Sequence, residues 1–278
     1  MLSRHAEEFA ARGFTLVRGL FGAEEAGFYR DHFMRLREAG SYPGDAAGVD
    51  PTADDPLRRY PRMTHMQRWD ETAKRWLIEP RLNEILSALP EGVEPFAVQT
   101  MLYFKPPGAR GQAPHQDNFY LRVRPGTCMA GWLALDPCDE ENGCLHVVPG
   151  SQGWPLLCTI EADTTQSFTD VTVPLPDDAE LVPMLMEPGD VLFFNGSLVH
   201  GSGPNRSRDR FRRALVAHYV QGEAEEVAHW YHPVLRMDGT EVELGTSNGG
   251  PCGEWTEVDG ERAIALTGTI VDPFTSGE

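Results

Sequence analysis

His115 and Asp117 stand one residue apart in "APHQDNFYL" (residues 113–121), and an imidazole beside a carboxylate is two-thirds of a divalent-metal site. The run "NFYLRV" that follows has β character, so the sequence places the pair on a strand, where side chains i and i+2 project from one face. A third ligand is available in His200, within "FFNGSLVHGSG", downstream of the strand–turn signal "EPGDV". Two histidines and one carboxylate on one side of an ion leave the opposite positions open, the arrangement of the non-haem Fe(II) oxygenases. His146 and His218 are alternative third ligands, and a zinc hydrolase would use the same residue types.

The elements that must position these residues change character along the chain. Residues 4–12 read as a short helix and "FTLVRGLF" (14–21) as a strand. Ala26, Tyr29, Phe33 and Leu36 fall on one helical face, with Gly40 as the stop; Leu82, Ile85, Leu86 and Leu89 repeat the pattern after Pro80. Between them "SYPGDAAGVDPTADDP" is a polar loop, either a lid or a surface excursion. From about residue 94, short apolar runs alternate with turn signals: "FAVQTMLYF", "NFYLRV", "MAGWLALD", "CLHVVPG", "DVLFFNG" and "RALVAHYV". That succession predicts a β-sandwich or barrel with the earlier helices on its outer face. The acidic stretch 161–180 reads as a long connection, and residues 234–278, rich in Gly, Thr and Glu, give no clear element.

Composition narrows the function. The 278 residues are 41% hydrophobic and 24% charged, an ordinary globular balance, and the formal net charge is −18. So acidic a chain argues against nucleic acid or an anionic membrane as partner. The five cysteines (Cys128, Cys138, Cys144, Cys158 and Cys252) include no CxxC, so reduced thiols in a cytoplasmic protein are expected rather than a disulfide framework or zinc ribbon. The N-terminal "MLSRHAEEFAARGF" has no apolar core of a signal peptide, and no stretch has the ~18 apolar residues of a membrane span.

Seven stretches in order widen the motif: "TMLYFKPPG" (100–108), "HQD" (115–117), "GWLALD" (131–136), "NGCLHVVPGSQ" (142–152), "PGDVLFF" (188–194), "HGSGPN" (200–205) and "FRRALVAHY" (211–219). In these the chain resembles the phytanoyl-CoA dioxygenase family of Fe(II)/2-oxoglutarate-dependent oxygenases. The resemblance implies a mainly β, cupin-like double-stranded β-helix (a jelly roll) with N-terminal helices packed on the larger sheet. It implies one dioxygenase domain over 1–278, with helical support to about 93, a jelly-roll core over about 94–222 and an extension over 223–278. His115, Asp117 and His200 match the family's iron ligands. Arg212 matches the arginine that holds the distal carboxylate of 2-oxoglutarate, Ser202 a hydroxyl donor to it, and Met101 and Trp132 residues that line its pocket; Tyr103, in phase with Met101, is a further candidate. The step from His200 to Arg212 is one residue longer than the family pattern.

The residues themselves support this arginine. One end of 2-oxoglutarate chelates iron and the other needs a planar, permanently charged donor. "RSRDRFRR" offers Arg206, Arg208, Arg210, Arg212 and Arg213, of which the first two read as a solvated loop. Strand alternation puts Arg212, Ala214, Val216 and His218 on one face, smaller and more polar than the face of Phe211, Arg213, Leu215, Ala217 and Tyr219, so Arg212 leads and Arg213 is the runner-up.

The resemblance therefore implies an O2-dependent oxidation, foremost hydroxylation, of an unactivated C–H in a small organic molecule, coupled to decarboxylation of 2-oxoglutarate to succinate and CO2. Oxidative cyclisation or desaturation in natural-product biosynthesis, with sugars among the substrates, is the alternative within the class. Asp117 fills the coordination position that a halogenase must vacate, so chlorination is not expected. Outside the class stand a non-catalytic jelly-roll binding module and a zinc or manganese hydrolase or isomerase; neither requires Arg212. Phe119, Tyr120, Trp154 and Trp230 are aromatic candidates for the substrate pocket, though core packing explains them equally well.

Overall fold

The computed structural model describes residues 2–45, 47–89 and 93–271. Two antiparallel sheets face each other. The larger has eight strands, in the order Phe14–Val17, Val191–Asn195, Cys128–Ala134, Ala214–Val220, Phe96–Tyr103, Val234–Leu235 and Glu241–Val242, with Met63–Thr64 also paired to Phe96–Tyr103. The smaller runs Gln112–His115, His200–Ser202, Leu145–Val147, Val182–Met184. Apart from two short pairs, Val234–Leu235 with Glu241–Val242 and Met63–Thr64 with Phe96–Tyr103, the strands that pair in either sheet are not consecutive in the chain, as a jelly roll requires.

The central strands of the larger sheet are mostly apolar because both faces are covered; His218 is the polar residue of Ala214–Val220. Cys128–Ala134 and Ala214–Val220 are buried at every residue. Leu215, Ala217 and Tyr219 pack outward with Phe33, Trp76 and Leu86 of the helices. Ala214 and Val216 pack inward with Trp132, Phe194 and, from the smaller sheet, Leu145 and Val147. The Tyr219 hydroxyl donates to the Leu77 carbonyl at 2.8 Å, fixing the helical layer to the sheet.

The helices expected at the start form at Leu2–Arg12, Ala23–Glu38 and Pro80–Ala88. Gly40 adopts φ +111° just past the second, a conformation glycine takes without a Cβ penalty. The polar loop after it is anchored: the side chains of Arg37 and Asp45 form an ion pair at 2.5 Å and are each 1% exposed.

Three expectations need correction. "NFYLRV" is not a strand. The strand Gln112–His115 ends at His115, and Asn118–Leu121 forms one helical turn with Asp117 as its αR N-cap residue. Local hydrogen bonds outcompete the apolar pattern: Tyr120 and Leu121 amides donate to the Asp117 carbonyl, and Asn118 Oδ1 accepts from Val123 N at 3.0 Å. Next, the cysteines are not all reduced. Cys158 and Cys252 form a disulfide, while Cys128, Cys138 and Cys144 are free and buried. The bonded pair is 94 residues apart in sequence, a separation no local spacing reveals. Lastly, the C-terminal part carries a long hairpin, Gly249–Val258 with Glu261–Val271, that folds back over residues 154–158. Gly253 N donates to the Leu156 carbonyl and Cys158 N to the Gly253 carbonyl, Trp154 and Trp255 meet edge to face, and the disulfide joins the two segments. No helix among the described residues is long and apolar enough to cross a membrane.

Candidate metal centre

His115 and His200 are paired residues on adjacent strands of the smaller sheet, and Asp117 is the N-cap residue of the helical turn that follows. Each of the three offers a ligand atom within 4.8 Å of the others, and all are buried. Asp117 Oδ1 lies 3.4 Å from His115 Nε2 and 3.7 Å from His200 Nε2. The pair meets because the chain turns at Gln116, not because of strand alternation. The Gln116 side chain is tied to the Ser197 and Pro155 carbonyls and accepts from Leu157 N, which fixes that turn.

Backbone carbonyls set the imidazole tautomers. His115 Nδ1 lies 2.9 Å from the Ala113 carbonyl and His200 Nδ1 3.0 Å from that of Leu198. A carbonyl only accepts, so each Nδ1 carries the proton and each Nε2 turns its lone pair to the centre. Burial pushes the His200 imidazole down to about 4, with His115 adding to the effect against the opposing pull of Asp117. Burial would raise the Asp117 carboxyl, but the His200 and His218 rings and the hydrogen bond from His218 Nε2 outweigh it and hold the carboxyl well below its ordinary range. A neutral imidazole beside an ionised carboxylate is the protonation state in which a metal binds.

His218, an alternative ligand on sequence grounds, serves otherwise: its Nε2 donates to Asp117 Oδ2 at 3.1 Å and leaves Oδ1 for an ion. His146 lines a separate cavity with Ala162, Thr172 and Leu181.

The cavity at the triad is walled by Trp132, Phe194, Val216 and Phe168 and closes at its far end on Tyr103, Ser202 and Arg212. Arg212 is 2% exposed, lies over the Trp132 ring at 5.2 Å and donates from Nε to the Gly143 carbonyl. Arg213 points away and clasps Asp136 through Nε and an Nη, each at 2.7 Å. Met101 is buried across the strands from Val216, itself paired with Trp132, but does not border the cavity. Of the aromatic candidates, Tyr120 meets the His115 ring edge to face, Phe119 packs on Tyr120, and Trp154 packs on Trp255 under the hairpin; none of them, nor Trp230, borders the cavity.

Sequence reasoning missed Lys105. It follows the apolar strand directly in "LYFKPPG" and is 3% exposed, and a lysine sandwiched between Phe104 and two prolines was the available signal. Its Nζ donates to the carbonyls of Gly143 (3.1 Å) and Gly203 (2.6 Å) and to Ser202 Oγ (2.8 Å).

The phytanoyl-CoA dioxygenase family model matches residues 9–214. The chain belongs to this family. Phytanoyl-CoA dioxygenase 1 of Oryza sativa subsp. japonica is 34% identical over 158 residues, 56% of each chain, so the match spans about half the length of this relative. Among solved structures, EvdO2 from Micromonospora carbonacea var. aurantiaca complexed with 2-oxoglutarate superposes with a TM-score of 0.61 at 25% identity, covering 79% of this chain and 90% of that one. The epimerase SnoN, in complex with Fe3+, alpha ketoglutarate and nogalamycin RO, has a TM-score of 0.64 at 20% identity, covering 88% and 94%, and shows the fold alone.

Proposed function

We propose that the protein is an Fe(II)- and 2-oxoglutarate-dependent dioxygenase and that His115, Asp117 and His200 hold its iron. Arg212 and Ser202 hold the distal carboxylate of 2-oxoglutarate, and Trp132 and Tyr103 line its pocket, with Met101 packed behind them beside Val216. One observation carries this reading: a buried carboxylate held between two histidine rings at one end of a cavity, and a buried guanidinium with no carboxylate partner among the described residues at the other. When bound, the iron supplies the redox chemistry by which O2 oxidises a C–H bond while 2-oxoglutarate is decarboxylated to succinate and CO2. The chain's own residues do the positioning. The Ala113 and Leu198 carbonyls fix both ring tautomers, His218 restricts Asp117 to one free oxygen, and Trp132 and Phe194 exclude water.

The substrate class is a small organic molecule, and hydroxylation is the outcome the carboxylate ligand favours over chlorination. A cyclisation, desaturation or related oxidation in secondary metabolism is the second reading; the fold shared with an epimerase that binds nogalamycin RO supports it. We place residues 1–278 in one catalytic unit acting in the cytoplasm; the Cys158–Cys252 disulfide counts against a reducing compartment, and finding it formed in acid-quenched cells would overturn that location. The test of the reaction class is succinate formation from 2-oxoglutarate. It should require added Fe(II) and O2 and vanish in Asp117→Ala; turnover with zinc alone would defeat it.

A further inference from the structure

We propose that Lys105 is a positioning residue for the far carboxylate of the co-substrate: it locks Ser202 as a hydrogen-bond donor and places a second positive charge beside Arg212. The inference rests on the 2-oxoglutarate reading above and deepens it.

Hydrogen-bond accounting leads to it. An ammonium has three protons, and Lys105 Nζ has three acceptors: two carbonyls and Ser202 Oγ. Ser202 Oγ also receives the Gln112 amide at 3.3 Å. A hydroxyl oxygen has two lone pairs, and both are thereby used. Its one proton must go elsewhere, and no described residue accepts it. Ser202 borders both the cavity beside Arg212 and the one beside His146; only the first has a cation in its wall, so an anion bound there is the acceptor that suits its O–H.

Charge points the same way. Gly143 O accepts from Lys105 Nζ and Arg212 Nε together, so one carbonyl bridges two buried cations. Among the described residues neither cation has a carboxylate within ion-pair distance, and Asp136 is taken by Arg213. Burial, with Arg212 next, works against the Lys105 ammonium, and burial works against the Arg212 charge, so the three-proton form counted above is the one that an anion bound beside them favours. Such a pair is costly without an anion and is relieved by one. Gly143 makes the arrangement possible: its φ is +76°, and a Cβ there would strike the Gly203 carbonyl that Lys105 also uses.

The test is calorimetric titration of Mn(II)-loaded protein with 2-oxoglutarate, and separately with pyruvate, which has the same metal-chelating end but no distal carboxylate. Lys105→Met should weaken 2-oxoglutarate binding about ten- to a hundredfold, the usual worth of a hydrogen bond to a charged group. Pyruvate binding should stay within about twofold. Equal losses for both ligands, or no loss for either, would overturn the role of Lys105. If Lys105→Met does not fold, Ser202→Ala substitutes for it: the same selective loss is expected, and wild-type 2-oxoglutarate affinity would refute the proposal. Arg212→Ala separates the two readings. If it too binds 2-oxoglutarate normally, the co-substrate site itself is misplaced; if it alone loses binding, only Lys105 is excluded.

Discussion

The two ends of the cavity are opposites. At the metal end Asp117 is an ionised carboxylate whose partners are histidine rings, and burial keeps that of His200 neutral. At the far end Arg212 and Lys105 have no carboxylate partner among the described residues. Yet Arg213, one residue along, is fully satisfied by Asp136. Folding alone did not require the mismatch; a neighbouring arginine shows how the chain pairs a charge that has only a structural duty. Burial without pairing costs stability, and the two deficits are complementary to a metal cation and a dianion.

The comparison can be broken at either end. The largest effect is expected from Asp117→Ala, which removes the carboxylate of the metal end: metal content should fall to background and turnover with it, measured by metal analysis beside succinate formation. Next is the arginine pair. Arg212→Ala should raise the 2-oxoglutarate requirement about a hundredfold with little change in the KM of the main substrate, whereas Arg213→Ala should lower the thermal midpoint and leave that requirement alone. Reversed results would transfer the co-substrate role to Arg213. His218→Ala leaves Asp117 Oδ2 without its donor and should weaken metal affinity about ten- to a hundredfold, read by competition with a chelator. Smaller still is the pH effect on the metal-free protein. The neutral form of His200 is favoured by folding, with the ring pushed from 6.5 to about 4, so stability is intact above pH 6.5 and declines as pH falls from 6.5 towards 4. Denaturant midpoints at pH 7 and 5 would show it, and His200→Asn should flatten the slope.

The site was more legible in the sequence than the elements that carry it. His115, Asp117 and His200 converge as their spacing and family resemblance implied, and alternation along Ala214–Val220 separated the faces of Val216 and Leu215 correctly. The reasoning about the pair was nevertheless wrong in its mechanism, because "NFYLRV" has the composition of a strand while capping bonds at Asp117 and Asn118 turn it into a helix. Lys105 escaped notice because its role depends on Ser202 and Gly143, far along the chain. The C-terminal hairpin and its disulfide escaped for the same reason: Trp255 and Cys252 find their partners at Trp154 and Cys158, and no local period encodes a partner about a hundred residues away.

The strand His200–Ser202 has a consequence of its own. It carries a residue of the metal end at its first position and the hydroxyl of the other end at its third. Two residues of extended chain span about 6.6 Å, so the backbone acts as a ruler laid between the two charge deficits. An oxo-diacid one methylene shorter or longer than 2-oxoglutarate would be mismeasured by that rule, and an insertion between His200 and Ser202 would spoil the gauge while leaving both chemistries intact.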